Sequence, residues 1–245
     1  MMSGKAGPQL LDSFSLERQP VGKDVITRAN QGLRDHMGWI QAMGILDPDK
    51  EVRTKVLAEF DDPGAKGRKR RQDFQQGIRS TAREFHGLGI EMGQRYTSAA
   101  VYQDDEGPPP PPLEDPVMEL QIGTYPGKRL PHAWLNKRTP EKKFSTIDLA
   151  GHGRFCLFTG PGGQDWKTAA EEVGKSLGIE IDVHSIGWKQ DHEDIYFEWA
   201  KRREVEEDGC VLVRPDRFVA WRCTEMIPDA STKLEKVMRR ILSLE

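Results

Sequence analysis

The chain has 245 residues, 36% hydrophobic and 31% charged, with 36 basic against 39 acidic side chains and a formal net charge of −3. That balance excludes a global field drawing it onto nucleic acid, and no apolar run reaches the roughly 20 residues that cross a bilayer. The opening MMSGKAGPQLLDSF lacks an apolar secretory core, and three cysteines without CxxC spacing (Cys156, Cys210, Cys223) fit a reducing, cytoplasmic setting.

The first part reads as mostly helix. In PQLLDSFSLERQ, Pro8 suits a helix start, and Leu10, Leu11 and Phe14 share a face. Pro20 predicts that this helix ends or kinks at Gln19. A second helix is expected through DVITRANQGLRDHMGWIQAM, with Ile26, Ala29, Leu33, Met37 and Ile40 on one side. PDKEVRTKVLAEF adds a short helix through Val52, Val56 and Phe60, and QDFQQGIRSTAREF another through Phe74, Ile78 and Phe85. RYTSAAVY (95–102) alternates as a strand, which would need partners for both edges.

Composition shifts at DDEGPPPPPLEDP (104–116), where five prolines favour an extended polyproline conformation. A cut there gives a mostly helical segment over 1–103, a linker over 104–116 and a second domain over 117–245. In the second domain RFCLFT is a buried strand candidate. WKTAAEEVGKSL follows, with Trp166, Ala169, Ala170, Val173 and Leu177 in a helical stripe that Gly178 ends. IEIDVHSIG reads as a strand and HEDIYFEWAKRR as a helix with Ile195 and Trp199 on one side. GCVLVRP and RFVAWR form a hairpin turning at "PD". DASTKLEKVMRRILSL is a closing helix with Asp229 as N-cap. The order β-α-β-α-β-β-α makes this an α/β chain whose last domain has the thioredoxin-like order.

GPGGQDWKTAA (160–170) is the most suggestive stretch. Gly160-x-Gly162 between strand and helix partly matches a dinucleotide fingerprint, and Asp182 lies near the place of a ribose-binding acid. Asp165, however, stands where the third glycine belongs and is better explained as an N-cap. A redox reading fails because the turn contains no cysteine. KGRKRR (66–71), flanked by Asp61, Asp62 and Asp73, reads as a solvated loop, not a phosphate-binding patch. His132 reads as a hydrogen-bonded residue. His152 and Cys156 are expected on one strand face without further ligands, and His184 and His192, eight apart across a loop, offer no recognised metal geometry. The neighbouring acids Asp104–Asp105, Glu171–Glu172 and Glu206–Glu207 read as solvated faces. No catalytic, cofactor-binding or metal-ligating residue is assigned.

LLDSFSLERQPVG, ANQGL, LGIEMGQRYTSAAV, YPGKRLPHAWL, FSTIDLAG and VLVRPDRFVAWR occur in this order over roughly residues 4–243. Together they resemble the C-terminal half of FAD-dependent aromatic hydroxylases of the phenol hydroxylase and chlorophenol monooxygenase type. The resemblance implies a final thioredoxin-like domain without redox cysteines, associated with dimer contacts. It also implies a parent enzyme that uses FAD, NAD(P)H and O2 to hydroxylate an aromatic substrate. The family's glycine-rich FAD fingerprint and second flavin-contacting GD segment have no counterpart here, so a truncated chain, inactive alone, is expected, with Leu10, Leu11 and Phe14 unusually exposed. A stand-alone, non-enzymatic interaction or dimerisation protein on the same domain is the alternative. A small dinucleotide-binding enzyme is the third reading.

Overall fold

The computed structural model describes residues 4–244. A 3-10 turn at Pro8–Leu11 leads into α1 (Asp12–Asp35), followed by α2 (Met37–Ala42), α3 (Lys50–Ala58), α4 (Ala65–Phe85) and α5 (Leu88–Met92). After an irregular stretch come β1 (Trp134–Asn136), β2 (Phe144–Ser145), α6 (Thr146–Leu149), β3 (Phe155–Thr159), α7 (Gln164–Leu177) and β4 (Ile181–Ser185). The chain continues through β5 (Glu193–Asp194), α8 (Glu198–Arg202), β6 (Cys210–Val213), β7 (Val219–Cys223) and α9 (Ala230–Ile241).

Two compact units emerge, one of residues 4–19, 92–112 and 121–244, the other of residues 20–91 and 113–120. They interleave segments that the sequence alone would cut once, at the proline run. The acids ahead of that run explain its place in the first unit. Asp105 accepts from Trp221 Nε1 at 2.8 Å and pairs with Lys233 at 2.7 Å, while Glu106 pairs with Arg222 at 2.8 Å.

The first unit is built on a four-stranded sheet in the order β4-β3-β6-β7. β3 runs parallel to β4 and antiparallel to β6, and β6 is antiparallel to β7. Alternation along β3 and β6 sends Leu157 and Leu212 to one face, where they pack with Trp166, Val173, Trp221, Leu234 and Met238. Cys156, Phe158, Val211 and Val213 go to the other face, against Leu135 and Trp199. Because both faces are covered, these strands read as continuous apolar runs. A smaller sheet, β2-β1-β5, adds the short strands that carry too little pattern to be seen in the sequence.

Several sequence expectations are corrected. α1 runs unbroken through Pro20. The lost N–H forfeits one helical bond, while upstream Glu17 is held by Arg214 and Arg18 by Tyr96. RYTSAAVY forms no strand: Tyr96 N–H donates to the Gly127 carbonyl and Tyr102 N–H to the Ala220 carbonyl, with a turn between. HEDIYFEWAKRR is helical only over α8, because Glu193 and Asp194 pair with β1 and Phe197 adopts φ +54°. Asp194 then accepts from the N–H groups of Glu198 and Ala200. Asp229 does occupy the N-cap position of α9, although its side chain accepts no cap hydrogen bond; Gly163, not Asp165, occupies the cap position of α7. The "PD" turn is present, with Arg217 following it at φ +70°.

In the second unit the basic stretch 66–71 lies inside α4, not in a loop. Glu59 takes Arg70 at 2.6 Å and Lys66 at 2.7 Å, Arg71 donates to the carbonyls of Phe60 and Asp62, and Lys69 pairs with Asp73. α2 and α4 cross with Gly38 against Gly77, where a Cβ on Gly77 would lie 2.3 Å from Trp39 N. No helix among the described residues is long and apolar enough to cross a membrane.

Candidate functional site

The glycine turn lies where β3 delivers the chain to α7, and it is packed shut by the segment ahead of β6. Thr159 Oγ1 donates to the Gly209 carbonyl at 2.8 Å and Trp166 Nε1 to the Asp208 carbonyl at 3.0 Å. A Cβ on Gly160 would meet the carbonyls of Glu207 and Ile186, and Gly162 needs φ +87°. These glycines are accounted for by backbone approach, and Asp165 adds a carboxylate to the first turn of α7. The turn therefore does not fit a pyrophosphate, which needs open N–H groups and positive potential. Asp182 is engaged elsewhere, with Arg154 at 3.3 Å.

The segments that carry the family resemblance meet instead around a buried carboxylate. Glu17, from α1, accepts both guanidinium nitrogens of Arg214 at 2.6 and 2.8 Å, and Ser98 Oγ also donates to it. Arg214 reaches Asp216 at 2.7 Å and lies over the Tyr96 ring, which stacks on Phe218 at 4.0 Å. Arg18 donates to the Tyr96 hydroxyl, and Arg129 lies over Phe218. Burial opposes the charge on Arg214, but Glu17 and Asp216 outweigh it and raise its pKa. Chemically the cluster is a satisfied clasp. It joins the SLERQ, RYTS, PGKR and VRPDRF motifs, and within it Glu17, Arg214 and Asp216 satisfy one another.

Nearby, Lys128 is buried and its Nζ has no hydrogen-bond partner. Burial pushes its pKa down, Glu204 pulls it back up, and Arg222 and Arg95 add repulsion.

His132 Nδ1 lies 2.7 Å from Ser145 Oγ, its ring edge-on to Trp134. His152 sits in the loop before β3 at φ +58°, with Nε2 3.1 Å from the Asp148 carbonyl, so it does not share a strand face with Cys156. Sequence spacing missed one juxtaposition: His192 Nε2 and His184 Nδ1 are 3.1 Å apart, brought together when His192 N–H donates to the Ser185 carbonyl at the end of β4. Burial, and then His184, push His192 down to about 4, and burial lowers His184. Among the described residues no group of three or more His, Cys, Asp or Glu could hold a metal. Cys156 and Cys210 are buried and Cys223 half-buried, all three free, with burial raising every thiol. The paired acids do not converge: Asp105 holds Trp221 and Lys233, while Glu172 accepts from Ser231.

Residues 123–243 match the family model for the aromatic-ring hydroxylase C-terminal domain. Phenol 2-monooxygenase of Pseudomonas sp. (strain EST1001) is 39% identical over 97% of this chain and 39% of its own length. The 2,4-dichlorophenol 6-monooxygenase of Delftia acidovorans is 36% identical over 100% of this chain and 41% of its own. Among solved structures, the flavin-dependent monooxygenase PieE, in complex with FAD and substrate, superposes with a TM-score of 0.91 at 38% identity, over 100% of this chain and 42% of PieE. The chain thus spans about two-fifths of the length of these relatives. It belongs to the aromatic-ring hydroxylases, matching their C-terminal portion.

Proposed function

We propose that the chain is the C-terminal part of an FAD-dependent monooxygenase acting on a phenolic or other aromatic ring. The whole reaction consumes one O2 and one NAD(P)H with a proton, placing one oxygen in the new hydroxyl and releasing the other as water. FAD and substrate are then gripped by the part corresponding to the three-fifths of the relatives that this chain does not span.

The observation that carries this reading is the superposition on PieE along the whole chain. Residues 117–245 act in it as a thioredoxin-like domain without redox cysteines. The run β3-α7-β4-β5-α8-β6-β7-α9, in which only β5 leaves the four-stranded sheet, and the cysteine-free, closed glycine turn support that assignment. Residues 1–103 serve the flavin and substrate region, 104–116 join the two, and homodimer contacts run through 117–245 or through the flavin-binding half. Exposed Leu11, at the end of the 3-10 turn, and Phe14 and Leu16 on α1 are apolar surface suited to such a neighbour.

The test is a chimera. The part of the Pseudomonas phenol 2-monooxygenase not spanned by this chain is joined to it at the matched position, and phenol-dependent NAD(P)H oxidation and hydroxylated product are measured. The chimera is expected to hydroxylate phenol where the donor part alone does not. A folded, FAD-loaded chimera without phenol-dependent turnover would count against the proposal.

A further inference from the structure

β6 and β7 are antiparallel neighbours, and Cys210 stands directly opposite Cys223. Directly opposed residues in such a pair have Cα atoms about 4.5–5.5 Å apart, inside the roughly 4.4–6.8 Å span of a disulfide. Both belong to the face of the sheet that packs on Trp166, Leu212 and Trp221, whereas Cys156 lies in the opposite core with Phe158. The sheet therefore separates the third thiol from the other two. Cys223 is half-buried at the end of the hairpin's second strand, and Cys210 is fully enclosed behind it.

We propose that Cys210 and Cys223 form an oxidation-sensitive pair that closes a cross-strand disulfide when the protein meets hydrogen peroxide. The Cys223 thiolate attacks one peroxide oxygen; the O–O bond breaks, and the departing hydroxide takes a proton and leaves as water. Cys223 then holds a sulfenic acid. The Cys210 sulfur attacks the Cys223 sulfur, the S–O bond breaks, and the hydroxyl leaves as a second water carrying the Cys210 proton. Two thiols are oxidised by two electrons, and one peroxide is reduced to two waters. Burial holds both thiols protonated at neutral pH, so closure is slow there and accelerates as pH rises. The bond staples the hairpin that carries Arg214 at its turn. This inference does not depend on the proposed function.

The 245-residue protein is treated with hydrogen peroxide at pH 7 and pH 9, denatured, alkylated and digested. Two of its three thiols should become unavailable, the intact mass should fall by about 2 Da, and the peptides bearing Cys210 and Cys223 should be joined. The rate should be higher at pH 9. Cys156→Ala should leave the cross-link intact and Cys223→Ser abolish it. The melting temperature should rise by several degrees on oxidation and return with dithiothreitol. Three alkylatable thiols after exposure at pH 9 would overturn the proposal. So would a gain of about 32 Da on Cys223 with Cys210 still free, or a link through Cys156.

Discussion

At the scale of single residues, the structure separates groups that stabilise the chain from groups that merely persist in it. Glu17 and Arg214 form a buried bidentate pair, so removing Glu17 leaves the buried Arg214 with only the more exposed Asp216. Glu17→Ala should therefore cost about 3–5 kcal/mol in urea unfolding, whereas Glu17→Gln, which keeps an acceptor, should cost less. Lys128 is the reverse case: its buried ammonium has no hydrogen-bond partner and its pKa is lowered. Lys128→Met should leave the melting temperature unchanged or raise it; a large fall would show that an unseen partner satisfies the charge. His192 gives the pH dependence. Its pKa is about 4 in the fold against 6.5 for a free imidazole, so between those values the unfolded chain binds the proton that the folded chain refuses. Stability should rise with pH through this window and fall on acidification, by on the order of 3 kcal/mol at its limit. His192→Gln should flatten that part of a plot of urea midpoint against pH.

At the scale of elements, the outcome follows how local each signal was. α7 was legible because Trp166, Ala169, Ala170 and Val173 form a stripe that the sheet buries, and Gly178 at φ +64° ends it as its chemistry demands. α9 was legible for the same reason, while β3 and β6, covered on both faces, were legible as continuous apolar runs. The failures are places where tertiary partners overrule a local rule. Pro20 sits within α1, the alternating 95–102 segment bonds to loops and to a sheet edge, and β5 takes residues that read as helix. The meeting of His184 with His192 and of Glu17 with Arg214 depends on long-range pairing, which spacing along the chain does not encode. Two substitutions test this level. Pro20→Ala restores a donor inside a helix that already exists, so circular dichroism should show the helix kept and the melting temperature raised. Gly77→Ala drives a Cβ into the Trp39 backbone and should destabilise by about 1–3 kcal/mol.

At the scale of the whole molecule, a well-ordered sheet with two covered faces coexists with a helix whose large apolar residues face outward. The expectation for Leu10, Leu11 and Phe14 holds for the last two, 61% and 69% exposed, while Leu10 is half-buried. Leu16, which the sequence did not single out, is 65% exposed. Replacing Leu11, Phe14 and Leu16 together with Gln should leave the circular dichroism spectrum and the melting temperature unchanged, since none of the three contributes to a core.

If these residues build a scaffold and not a flavin pocket, the chain by itself retains no FAD. The direct measurement is to incubate the purified chain with excess FAD, remove free cofactor by gel filtration and record the visible spectrum. The eluted protein should lack the yellow flavin bands; flavin retained in stoichiometric amount would show that these residues hold the cofactor themselves.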